Sequence, residues 1–229
     1  MGVVLAGLLP LSAAPAAPAD STRRITLGGV SVRLDDQTRQ VITVDHTHGW
    51  HAQVTLWRQS EGRWVRRLVA YDGRVGYGGL VPGDRRKQGT GTTPLGTYSI
   101  TESFGNTARP KTTVLPYHRV RRGDFWVQDN ASIHYNSLRN KRQGGFRWWL
   151  PTSDPNTSER LRDYRHQYAW SIVIDYNRPG PVRHRGSGIF LHVNGEGATA
   201  GCVSTPRWFV RKALGRLRSG LHPVIAIGR

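Results

Sequence analysis

The strongest constraint on this chain's fold is its hydrophobic period. Val30-Ser31-Val32-Arg33-Leu34 and Gln40-Val41-Ile42-Thr43-Val44 alternate apolar with polar around the turn Asp35-Asp36-Gln37-Thr38. Gln53 to Trp57 and Trp64 to Val69 repeat the pattern around Ser60-Glu61-Gly62. A period of two sends one row of side chains into a core and the other into water, so these runs predict an antiparallel meander. Further strands are expected over Tyr168–Tyr176, Ser187–His192 and Val224–Ile227. A helical period comes late, with Val210, Ala213, Leu214 and Leu217 at i, i+3, i+4 and i+7. Ser204-Thr205-Pro206 supplies it with a capping hydroxyl and a first-turn proline, and Gly220 suits its end. The 229 residues fit one sizeable, mainly β domain with one helix.

Chemistry concentrates near the end of the chain. Cys202 is the only cysteine, and His192 stands ten positions before it. A thiolate is a strong nucleophile, and a nearby imidazole can generate it. The run Ile189 to Leu191 reads as a strand that delivers His192 to a rim. The small residues from Asn194 to Ala200 let the chain loop back. Gly201 leaves room beside the sulfur, and the N–H groups of Gly201 and Cys202 suit an oxyanion. Against this stands the plain alternative, a small buried thiol and a structural histidine.

The apolar opening, Met1 to Leu9, is too short to span a bilayer. It leads to Ala14-Pro15-Ala16 and Ala17-Pro18-Ala19, so residues 1–19 read as a secretory leader, with 20–39 as a lead-in and 40–229 as the domain. The basic start of such leaders is missing, which leaves an upstream start or a plain tail as alternatives. In an exported chain a single cysteine cannot form an internal disulfide, which raises the odds that it is kept for chemistry.

Lys and Arg number 33 and Asp and Glu 15, a net charge of +18. Outside a cell that charge suits anionic wall polymers rather than nucleic acid; a coding preference for arginine is the plain alternative. His46, His48 and His51 cluster beside Asp45, and solvated turn histidines are favoured there over a metal site. The glycine-rich stretch Tyr71–Arg86 lacks the Lys-Ser/Thr of a phosphate loop. Residues 104–150 interleave aromatics with Arg119, Arg121, Arg122, Arg139, Lys141, Arg142 and Arg147, and read as a lid over a substrate cleft.

His192, Thr199, Gly201 and Cys202 match the His…Ser/Thr-x-Gly-Cys signature of the YkuD-type L,D-transpeptidases, which this stretch resembles. Thr93-Pro94-Leu95-Gly96-Thr97-Tyr98 resembles a second strand of that family, about a hundred residues earlier. The chain departs from the family pattern at Val193, Ala200 and Ser204 and in a short His–Cys loop. The resemblance implies a mostly antiparallel sandwich or barrel-like catalytic fold, acting on peptidoglycan stem peptides without metal or organic cofactor. It implies Cys202 as nucleophile, His192 as base, and acylation of Cys202 by carbapenems. Thr199, Ser204, His134 and Tyr135 are candidate substrate contacts; His134 either touches substrate or braces its loop. Water in place of the acceptor amine would make the enzyme an L,D-carboxypeptidase. A sortase-like transpeptidase and a cationic wall-polymer binder on an inactive scaffold are the other readings. A sortase wants a wider His–Cys gap and an arginine on a following strand, whereas Arg207 and Arg211 fall in the predicted helix.

Overall fold

The computed structural model describes Gly2 and residues 22–229; apart from Gly2, the expected leader lies outside the described residues. β1 (Arg23–Leu27) and β2 (Val30–Leu34) form an antiparallel hairpin. In β2 the alternation is strict, with Val30, Val32 and Leu34 buried and Ser31 and Arg33 exposed. β3 (Gln40–His48), β4 (His51–Ser60) and β5 (Arg63–Arg74) form the meander that the period predicts. β3 is buried continuously from Gln40 to Val44 because both of its faces are covered. Val41 packs with Leu27, Val30, Val32 and Leu34 of the hairpin, while Ile42 and Val44 join the main core on the other side.

β6 (Leu80–Pro82), β7 (Thr93–Ser99), β8 (Ser103–Gly105) and β9 (Tyr117–Arg119) follow. β10 (Asp124–Trp126), β11 (Leu138–Asn140) and β12 (Glu159–Arg160) make a separate three-stranded sheet. β13 (Ser171–Val173), β14 (Phe190–Val193), β15 (Val203–Thr205), α1 (Arg207–Leu214) and β16 (Val224–Gly228) complete the chain. Eleven strands join one mixed sheet in the order β6-β7-β16-β3-β4-β5-β15-β14-β13-β8-β9. Most neighbours are antiparallel; β6–β7, β16–β3, β14–β15 and β8–β9 are parallel. The fold is mainly β with one α-helix among the described residues, as the period predicts. No helix among them is long and apolar enough to cross a membrane.

Three local expectations are corrected. Ser204 and Thr205 do not cap the helix, because both are paired with β14 inside β15; Pro206 precedes the helix instead, with no side-chain cap. The helix ends at Leu214, where the Gly215 N–H bonds to Arg211 O, yet Leu217 is still fully buried. The strand expected from Tyr168 is shorter, because Gln167–Ala169 forms a 3₁₀ turn ahead of β13. The 104–150 segment is well stitched into the body: Trp126 packs on Phe190 at a ring distance of 4.8 Å, and Asn136 Nδ2 donates to Tyr176 O at 3.0 Å.

Candidate active site

β14 and β15 run parallel, with Leu191 opposite Val203 and His192 opposite Ser204. Cys202 immediately precedes β15, so the same register puts it beside Phe190. The Phe190 N–H donates to Cys202 Sγ at 3.4 Å, and the thiol donates to Gly188 O at 3.3 Å. No hydrogen bond among the described residues joins Sγ to the His192 ring. Both side chains line one cavity of about 370 Å³. They are nearly enclosed, at 8% exposure for Cys202 and 6% for His192.

The His192 ring is oriented by its own strand. Nδ1 lies 2.9 Å from Val193 O. A carbonyl oxygen only accepts, so Nδ1 carries the proton and Nε2 keeps its lone pair. Val193 O is therefore the group that orients the imidazole. Tyr168 packs edge-on against the ring at 5.3 Å and 78°, and its hydroxyl donates to Glu159 Oε1 at 2.6 Å. Burial lowers His192 from the ordinary 6.5 to about 4 and raises Cys202 to about 12. Burial also raises Glu159 to about 7, against the Tyr168 hydrogen bond that lowers it. The resting pair is therefore a neutral thiol and a neutral imidazole.

The Cys202 turn is held from three sides. Thr199 Oγ1 donates to Cys202 O at 2.7 Å and accepts from Gly201 N–H at 3.1 Å. Thr199 N–H donates to Val75 O, and Thr199 O accepts from Tyr77 N–H. Thr93 Oγ1 donates to Gly201 O at 2.8 Å and accepts from Gly76 N–H at 2.8 Å. Arg74 Nη1 donates to Gly195 O and Gly197 O, at 2.7 and 3.2 Å, tying the loop to the end of β5. The two motifs quoted from the sequence thus meet through Thr93, the first residue of β7.

The remaining candidates sit elsewhere. Ser204 is fully buried, its hydroxyl has no hydrogen-bond partner among the described residues, and it does not line the cavity. Tyr135 is 2% exposed; its hydroxyl donates to Gln88 Oε1 at 2.7 Å and accepts from Gly186 N–H at 3.0 Å. Asn136 Oδ1 accepts from Gly188 N–H at 3.0 Å, in the loop whose carbonyl receives the Cys202 thiol. His134 lies off the cavity, against Gly145. His48 stacks on His51 at 5.0 Å, and His46 bonds to Gly49 O at the tip of the β3–β4 hairpin. Arg207 stacks over Trp170 at 4.6 Å from α1. Glu159, Tyr168 and Arg86, all in the cavity wall, were missed by the sequence reading.

The fold and the cavity define a mainly β domain that brings a lone thiol and a carbonyl-oriented imidazole to the same cleft. A scan of family models matches the chain to YkuD, the L,D-transpeptidase catalytic domain, over residues 39–225. The chain belongs to that family. A search of curated proteins found no match.

Proposed function

We propose that this chain is an exported L,D-transpeptidase that forms cross-links between peptidoglycan stem peptides through a Cys202 thioester. The family acts on peptidoglycan peptides. The observation that carries the finer reading is the placement of Cys202 and His192 in the wall of one cavity, with Nε2 unprotonated. His192 Nε2 takes the thiol proton, and Sγ attacks the amide carbonyl carbon. The oxyanion is met by the Cys202 N–H, joined by the Gly201 N–H once Thr199 Oγ1 releases it. As the family resemblance implies, the bond that breaks is the amide after the L-centred third residue, and His192 returns its proton to the amine of the departing terminal D-Ala. An amine of a second stem then attacks the thioester carbon, gives its proton to His192, and Sγ leaves as the thiolate that reclaims it. No step calls for a cofactor.

Intact mass after incubation with a tetrapeptide muropeptide, and separately with a carbapenem, tests this. A single adduct on the wild type, lost in Cys202→Ala, is expected, together with a dimeric product. A trimmed monomer alone would mean that water resolves the thioester, as in a carboxypeptidase. An adduct that persists in Cys202→Ala, or none on the wild type, refutes the thioester route.

A further inference from the structure

Arg86 is 6% exposed and lines the cavity that holds Cys202 and His192. Its Nε donates to Thr92 O at 2.6 Å and its Nη1 to Arg185 O at 3.3 Å. Its guanidinium lies 5.5 Å from the Tyr176 ring centre. These two acceptors are neutral carbonyls, and the Tyr176 hydroxyl that Arg86 also faces is neutral as well. Among the described residues no carboxylate forms an ion pair with Arg86. Glu159 lines the same cavity, but its carboxyl receives the Tyr168 hydroxyl.

A neutral glutamine could serve two carbonyls. A guanidinium brings five donors and a permanent charge, and enclosing that charge without a counter-ion is unfavourable. The fold nevertheless makes room for it. A Cβ on Gly186 would fall 1.6 Å from Nη1, and one on Gly201 would fall 2.8 Å from Nη2. Nη2 therefore lies against the residue that precedes the nucleophile, and the space that Gly201 opens is filled by a cation.

We infer that Arg86 is a specificity-determining residue: its guanidinium takes the free C-terminal carboxylate of the donor peptide, on the residue that departs when Cys202 is acylated. This rests on the reading of Cys202 as the acylated nucleophile. A terminal carboxylate is planar and compact, and a guanidinium fork meets it with two parallel N–H···O bonds. It supplies the missing counter-ion only while substrate is bound. Such a cleft selects peptides ending one residue past the scissile bond over internal bonds, which offer a neutral amide there.

The experiment uses the full chain with N-acetyl-D-alanine and N-acetyl-D-alaninamide, titrated by NMR and by protection of Cys202 from iodoacetamide. A second arm measures acylation by donor tetrapeptides with free or amidated C-termini. Charge-assisted hydrogen bonds predict that the acid binds the wild type about 10- to 100-fold tighter than the amide. Arg86→Gln should bind the two alike and lose kcat/KM on the free-acid donor by a similar factor, with little change on the amidated donor. Arg86→Lys, which keeps the charge but not the fork, should fall between. The inference is overturned if the wild type shows no acid preference, if Arg86→Gln retains it, or if both donors suffer equally. The binding arm needs no turnover, so an acid preference without any acyl-enzyme would sink the transpeptidase reading alone. If both variants fail to fold, the wild-type acid-to-amide ratio at about 50 and about 500 mM NaCl still decides: a preference set by the enclosed Arg86 persists, and one set by exposed arginines fades with salt, which overturns the inference.

Discussion

His192 and Glu159 share one cavity wall and pull stability in opposite directions with pH. The His192 pKa is depressed, about 4 against 6.5, so the unfolded chain binds the extra proton first. Its neutral burial favours the fold fully above 6.5, and that contribution is lost as pH falls towards 4. The Glu159 pKa is raised, about 7 against 4.5, so its protonated form favours the fold below 4.5 and that contribution is lost as pH rises through 7. Relative to wild type, His192→Gln should gain stability as pH drops from 6.5 to 4, and Glu159→Gln should gain as pH rises from 4.5 to 7. Each gain is on the order of 1 kcal/mol or more, read by denaturant melts across the range. Parallel curves for a variant and wild type would remove that group from the account. On the proposed route the same neutral imidazole is the base for Cys202, and His192→Ala should then slow iodoacetamide alkylation at pH 7 by about tenfold or more. Unchanged alkylation would show that Nε2 does not reach the thiol proton. Residue type, compartment and the family signature single out Cys202 and His192 as candidates, and both line one cavity. Glu159, Tyr168 and Arg86 could not be found this way: each is common in type and distant in sequence, and only the closed sheet assembles them. Tyr168 was also hidden by its neighbours, since the apolar run that follows it reads as one long strand.

Among the elements, the closest dependence is that of the Cys202 turn on the β5–β6 connection and the start of β7. Gly76 sits where these segments converge. A Cβ there would meet Gly91 O at 2.0 Å and Gly201 Cα at 2.9 Å, both backbone atoms that cannot swing aside. Gly76→Ala should therefore cost about 1–3 kcal/mol and displace the Gly201–Cys202 turn, so that carbapenem acylation slows with it. Gly220→Ala is the control: it lies in the 3₁₀ turn before β16, away from the cavity, has an ordinary φ, and meets nothing within 4 Å. Calorimetric melting and the acylation rate should separate the two variants; equal behaviour would show that the turn tolerates displacement. The strands themselves were legible because period-2 alternation survives wherever one face is wet, as in β2. Their ends were not. β3 has both faces covered, and Ser204 and Thr205 carry a helix-capping signature that strand pairing with β14 overrides. The Thr93–Tyr98 strand was recognisable as a piece, but its hydroxyl contact with Gly201 O joins positions 108 residues apart.

At the scale of the molecule, two kinds of positive charge coexist. Most of the +18 comes from side chains in water, as the exposed Arg63, Arg66, Arg67 and Arg211 illustrate. Exposed charges act through solvent and fade beyond about 8 Å at physiological ionic strength. Arg86 is enclosed, so salt screens it far less. If the exterior holds the protein on an anionic wall while the cleft selects a peptide end, the two functions should part when salt rises. Between about 50 and about 500 mM NaCl, retention on isolated walls should fall tenfold or more, and Cys202→Ala should track wild type throughout. Acylation of Cys202 by a small soluble free-acid donor should change by less than about threefold over the same range. Sedimentation of walls gives the first quantity and intact mass against time the second. A parallel decline in both would mean that exposed arginines, not the enclosed one, recruit the donor, and that the cleft and the exterior act as one surface.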